Sequence, residues 1–228
     1  MRKISWMCVI LLAMGGIAEA QPTSAKAAVD KQSWDAGVSA GSFGSSPATP
    51  NSTYGDDWYF DGRYAVSIGQ YWTQHLKTEL EFATSGEGEV YAQRFINVAG
   101  VPAQYPIYSN EYYRLQQASG RIVWQFLENA WAHPYVFGGA SLDIERRRTR
   151  IPEQFYYGSS APFNPANRIL ITPAIETGPD TELRPAGVFG AGAKLYMTPR
   201  SYFNAAVIAS LAKSSGTISF VGGFGLDF

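Results

Sequence analysis

Charge is sparse in this chain, at 16% of 228 residues. Where it breaks an apolar stretch, it does so at every second position. Glu79 and Glu81 alternate with Leu80 and Phe82, Asp143 and Glu145 with Leu142 and Ile144, and Arg121 and Gln125 stand beside Ile122 and Trp124. Asp35 and Lys194 keep the same register beside Ala36 and Leu195. Alternate residues of an extended strand share a face, so these eight polar side chains are expected to look one way and the apolar ones the other. Three chemistries suit such a set: a network of ion pairs, a polar path for small ions, or acid–base work by Glu79 with Glu81. The last needs no special design, because period two brings any i and i+2 residues to one side.

Other reactive residue types are thinly supplied. His75 and His133 are the only histidines, both expected in short turns, and they make no metal cluster. The single cysteine, Cys8, lies in an apolar leader, so the remainder has no thiol nucleophile, thiolate metal site or disulfide. Gly190-Ala191-Gly192 is a strand pattern with no helix after it, and therefore not a phosphate loop. No catalytic residue, metal site or cofactor is expected. The formal charge is −1. Losing Arg2, Lys3 and Glu19 with the leader makes it −2, which gives no reason to expect nucleic acid as a partner.

The elements that carry these charges are strands. Eight are predicted, at about 34–43, 58–73, 76–94, 111–127, 134–148, 183–197, 202–212 and 217–228. Tyr64, Val66, Ile68, Trp72, Leu80, Phe82, Ile122, Trp124, Val136, Leu142, Ile144 and Phe189 belong to the apolar face. The last strand alternates Ile218, Phe220, Gly222, Phe224, Leu226 and Phe228 with Ser219, Val221, Gly223, Gly225 and Asp227. An exposed aromatic edge of this kind invites aggregation in water. In a closed barrel within a bilayer, the same strand has a partner on each side and lipid outside. The expectation is thus an all-β, eight-stranded, antiparallel up-and-down transmembrane barrel. Its interior is only wide enough for side chains. The inward charges should therefore pair, since an unpaired buried charge costs several kcal/mol.

The connections alternate between short turns after strands two, four and six and longer segments after one, three and five. Membrane barrels have short turns on one side and longer loops on the other. The longest segment, about 149–182, holds Pro152, Pro162, Pro165, Pro173 and Pro179 with Phe155, Tyr156, Tyr157 and Phe163, and is read as a loop. Strands three to five should project beyond the bilayer. Trp58, Tyr59, Tyr64, Tyr71, Trp72, Trp131, Tyr135, Tyr196 and Tyr202 fall near strand ends and are read as interfacial girdles. Tyr105, Tyr108, Tyr112 and Tyr113 are read as loop aromatics suited to carbohydrate stacking.

The leader has a positive start at Arg2 and Lys3, an apolar run from Trp6 to Ala13, and a small-x-small site at Ala18-Glu19-Ala20. Residues 1–20 are read as a secretory signal peptide, 21–33 as a short periplasmic lead, and 34–228 as the barrel.

The Phe-terminated last strand, the strand-and-loop rhythm and the signal together resemble small bacterial outer-membrane β-barrel proteins of the OmpA/OmpX type. The resemblance implies an outer-membrane location with both termini periplasmic, and recognition of Phe224, Leu226 and Phe228 by the barrel-assembly machinery. It implies an integral barrel with a structural or surface-interaction role through outer loops that meet an unidentified external ligand. The alternatives are a narrow channel for ions or small solutes and a lipid-modifying enzyme. Arg146, Arg148 and Arg150 would sit where the fifth strand leaves the outer leaflet. Guanidinium binds phosphate bidentately, so contact with lipopolysaccharide is expected there, against the plainer reading of a solvated basic run. Outer-membrane lipid A deacylases share the barrel architecture but place a His and a Ser two residues apart on one strand. Here His133 is followed by Pro134 and Tyr135, and the pair is absent.

Overall fold

A computed structural model describes residues 33–46, 58–97, 104–126, 131–157, 168–213 and 215–228. The leader and the segment to residue 32 lie outside the described residues, as do most of the connection after the first strand and part of the longest one. The described chain contains eleven strands. They are β1 (Trp34–Ser46), β2 (Tyr59–Tyr71), β3 (Leu76–Ser85), β4 (Gly88–Ile96), β5 (Tyr105–Gln125), β6 (Ala132–Ile151), β7 (Gln154–Tyr157), β8 (Arg168–Thr172), β9 (Ile175–Tyr196), β10 (Ser201–Leu211) and β11 (Gly216–Asp227).

Eight of these close a ring of antiparallel pairs in the order β3-β2-β1-β11-β10-β9-β6-β5, with β5 returning to β3. Paired residues can be followed once around the ring from Trp34 through Gln70, Thr78, Ile122, Gly138, Phe189, Ala209 and Ile218. The path returns to β1 at Gly44, ten residues along. A stagger of this size tilts the strands and sets a barrel narrow enough for side chains to fill.

Burial follows the pleat. Val38, Tyr64, Val66, Ile68, Leu80, Phe82, Ile122, Trp124, Phe189, Phe220, Phe224, Leu226 and Phe228 are exposed on the outside. Their neighbours one residue along point inward. Large apolar side chains outside and charges inside reverse the usual order, and only a lipid exterior makes that arrangement stable.

Strand three was expected to run unbroken to residue 94. It stops at Ser85 and resumes as β4, which pairs with β5 alone. Thr84 faces Gln116 and Gly88 faces Tyr113, so one extra residue lies between them on the β3–β4 side. The bulge frees the Leu115 amide, which donates to Ser85 Oγ at 2.9 Å.

The described part of the segment 149–182, expected to be a loop, is largely strand. β6 and β9 continue past the ring, and β7 and β8 form a small hairpin of their own. With β4 and β5, the extensions of β6 and β9 make a sheet that projects beyond the rim. Pro179 and Pro185 are tolerated because β9 pairs with β10 only from Gly187 onward, which leaves its other side open before that point. The remaining ends are short: Trp72–His75 between β2 and β3, and Met197–Arg200 between β9 and β10. The tip at Ala212–Ser215 joins β10 to β11.

Candidate functional site

The lumen holds all eight inward residues expected from the sequence, and it joins them to others the alternation did not single out. At the end where β1 starts and β11 finishes, Asp35 on β1 stands directly across from Asp227 on β11. Like charges in that position repel. They are held by Lys194 from β9, whose Nζ donates to Asp35 at 2.5 Å and lies 3.5 Å from Asp227. Lys77 from β3 donates to Asp35 at 2.8 Å and to Glu79 at 2.5 Å. Three phenols complete this seam cluster. Tyr202 donates to Asp35 at 3.1 Å, Tyr196 to Asp227 at 2.5 Å, and Tyr71 accepts from Lys194 at 2.7 Å. Gln125 donates to Tyr71 at 3.4 Å. Lys194 also sits 3.9 Å from the centre of the Tyr202 ring.

The mid-lumen cluster is built differently. Glu81 on β3 is paired with Arg63 on β2 at 2.5 Å and with Arg121 on β5. Arg121 also lies 3.8 Å from Glu79 and 4.8 Å from the Phe137 ring centre. Arg63 donates to Gln117 at 3.3 Å, and Gln117 donates to Asp143 on β6 at 2.9 Å. Ser141 donates to Asp143 at 2.9 Å. The opposite wall is apolar, made of Val123, Tyr135, Phe137, Val188, Ala206, Ile208 and Val221. Above it Glu145 pairs with Arg184. Higher still, in the projecting sheet, Glu111 receives Arg147 at 3.2 Å and Tyr113 at 2.5 Å. Burial, and then the Glu111 carboxylate beside it, hold the Tyr113 phenol well above its ordinary range.

Several aromatics correct the sequence reading. Tyr59, Tyr71, Tyr135, Tyr196 and Tyr202 were expected in girdles, and they face the lumen instead. A narrow interior seats such rings where the opposing residue has no side chain. A Cβ on Gly225 would run into the Tyr202 ring, and one on Gly192 into Tyr135. Trp58, Tyr64 and Trp72 do stay exposed. Tyr105, Tyr108, Tyr112 and Tyr113 lie on β5 and not in a loop, and Tyr113 is buried against Tyr59 with ring centres 5.2 Å apart. His133, expected in a turn, is a buried residue of β6 that packs on Tyr196 with ring centres 4.9 Å apart. His75 occupies its turn, its Nδ1 3.0 Å from the Gln125 carbonyl.

Arg146 and Arg150 are exposed on β6. Arg148 is drawn aside, with its guanidinium 3.3 Å from both Glu87 and Glu176 and 5.0 Å from the Tyr112 ring centre. The cause is a bulge in β9. Arg147 faces Asp180 and Thr149 faces Thr177, so Gly178 and Pro179 together oppose Arg148. Gly178 adopts φ 106°, and a Cβ there would meet the Arg147 carbonyl. The extra residue inverts the faces of β9 beyond it and puts Glu176 on the Arg148 side.

Among the described residues, no group of three or more His, Cys, Asp or Glu side chains is arranged to hold a metal ion. The inward residues missing from the expected set were Arg63, Glu111, Gln117 and Arg184, while Lys77 and Asp227 were already turned inward by the alternation of their strands. Parity would have found most of them. Arg63 adjoins outward Tyr64, and Arg184 adjoins outward Leu183.

A closed ring with a lipid-facing belt and a packed, ion-paired interior defines a transmembrane β-barrel of the outer-membrane type. Its architecture is the eight-stranded antiparallel up-and-down barrel expected from the sequence. No protein-family model and no curated protein matches the chain. Solved structures do. The N-terminal β-barrel domain of Pseudomonas aeruginosa OprF is similar at 16% identity, over 85% of this chain and 97% of that one, with a TM-score of 0.44. Neisserial surface protein A (NspA) is similar at 11% identity, over 86% of this chain and 96% of that one, with a TM-score of 0.49. Ail, the attachment invasion locus protein of Yersinia pestis, is similar at 11%, over 86% and 99%, with a TM-score of 0.46. At these identities the likeness concerns the fold alone.

Proposed function

We propose that the chain is an integral protein of the bacterial outer membrane with a structural or surface-interaction role, and that it is neither an enzyme nor an open pore. One observation carries this reading, the filled lumen. The space among Lys77, Glu81, Arg121, Tyr135 and Lys194 is about 30 Å³, room for about two water molecules. A conducting path would have to part the buried pairs around it. The short turns beside the termini and the projecting strands at the other end support periplasmic termini and an outward-facing loop end. In that orientation the projecting sheet meets the medium and the external ligand. Arg146, Arg148 and Arg150 lie at the level of lipopolysaccharide headgroups. Phe224, Leu226 and Phe228, all exposed on β11 or at its end, suit recognition by the barrel-assembly machinery.

The test is conductance. Refolded protein inserted into a planar bilayer should leave it silent, while its faster gel migration before boiling reports the closed barrel. Stepwise single-channel openings from such a sample would replace this reading with the channel one.

A further inference from the structure

On the outer surface, β6 changes character abruptly. Val136, Leu142 and Ile144 face lipid, and the next outward residues are Arg146, Arg148 and Arg150. β5 changes at the same level, from Ile122 up to Arg114, which is exposed. Arg114 and Arg146 are direct cross-strand partners. Two like charges so placed are destabilising unless something anionic lies between them. Across the other edge of β6, Arg146 faces Thr181 and not a carboxylate. The nearby acids are committed elsewhere. Glu87 and Glu176 hold Arg148, Glu89 on β4 accepts from Asn110 at 2.7 Å, and Glu111 points inward to Arg147.

We infer that Arg114 and Arg146 form a two-guanidinium site for a phosphate group, and that a phosphorylated lipid headgroup at the top of the apolar belt fills it. The inference rests on the outward orientation proposed above, and it moves the lipopolysaccharide contact from Arg148 to Arg114. Guanidinium forks on two directly paired strand positions can converge on the oxygens of one phosphate monoester. Leu183 and Ile144 lie just below on neighbouring strands, where the acyl chains of the same lipid would run. Free phosphate offers the same oxygens without the chains.

The test uses the full mature chain refolded in detergent micelles. Binding is followed by native mass spectrometry with three probes: lipid A bearing both phosphates, dephosphorylated lipid A, and inorganic phosphate. The wild type should retain the bisphosphorylated lipid in preference to the dephosphorylated one. Arg114→Gln/Arg146→Gln should weaken it on the order of tenfold or more. Arg148→Gln should stay within about twofold of wild type, because its charge is already answered by two carboxylates. The gel shift on boiling confirms that each variant is folded. Unchanged retention by the double variant, or an equal loss in Arg148→Gln, would overturn the site. Displacement of the lipid by millimolar inorganic phosphate would keep the paired arginines as an anion site and remove the lipid as its occupant. Binding in micelles is independent of location and orientation, so a failed outer-membrane reading, seen by surface labelling of whole cells, is a separate result.

Discussion

The seam cluster and the mid-lumen cluster use the same chemistry, buried carboxylates held by cations, but they draw it from different parts of the chain. Around Glu81 the principal partners come from β2, β3, β5 and β6, four neighbours in the ring. Arg63 and Glu81 are 18 residues apart, and Gln117 and Asp143 are 26 apart. Around Asp35 the spans are 159 residues to Lys194 and 167 to Tyr202. The first cluster can assemble hairpin by hairpin. The second is complete only once the ring has closed, because Asp35 and Asp227 sit on the first and last strands. Redundancy differs as well. Glu81 has two arginines, one of them shared with Glu79, whereas Asp35 and Asp227 depend on two lysines, one of which also holds Glu79.

The comparison is broken most directly at Lys194. Lys194→Met leaves Asp35 to Lys77, which also holds Glu79, and takes from Asp227 the cation 3.5 Å away, with the two aspartates face to face across the seam. A loss of about 3–5 kcal/mol is expected, as for other broken buried pairs. It should appear as a lower urea midpoint for the gel-shifted form in lipid vesicles. Both clusters also need a barrel wall that faces lipid. Val207, 44% exposed on the outer face of β10 beside Phe220, tests that. Val207→Arg should cost about 2–4 kcal/mol by the same titration, and an effect near zero would remove the bilayer from the account. Arg121→Met leaves Glu81 its bond to Arg63, so about 1–3 kcal/mol is expected. Were Arg121→Met to cost more than Lys194→Met, the ranking of the clusters would be wrong. The smallest effect is Tyr71→Phe, about 1 kcal/mol for one lost hydroxyl. It should slow ring closure, seen as the rate at which the gel-shifted band grows during refolding, more than Ser141→Ala in the mid-lumen cluster does.

Much of this was legible because a strand has only two faces. Once Leu80 and Phe82 are placed outside, Glu79 and Glu81 have nowhere to go but in. The closing strand was readable for the same reason. Tyrosine escaped that logic. Its ring suits lipid and its hydroxyl suits a buried carboxylate, so strand-end position alone left Tyr71 and Tyr202 undecided, and only parity with Trp72 and Phe203 settles them. Which cation answers which carboxylate was not legible either. The stagger that brings Lys194 to Asp35 is a property of the closed ring and not of either strand. The projecting part of β9 was hidden by its prolines, which signal a loop unless one side of the strand is known to be open.

That stretch of β9 also bears on where the chain can be lengthened or cut. Read as a loop, residues 175–182 would be an obvious place to insert a tag or to lose a residue over evolutionary time. The bulge at Gly178 and Pro179 makes it one of the worst. Removing either residue would turn Glu176 to the opposite face and strip Arg148 of one of its carboxylates, while the strand itself stayed paired. Tolerance to insertion should instead be found at the tip between β10 and β11, a short turn that the amide of Ala212 closes on the carbonyl of Ser215.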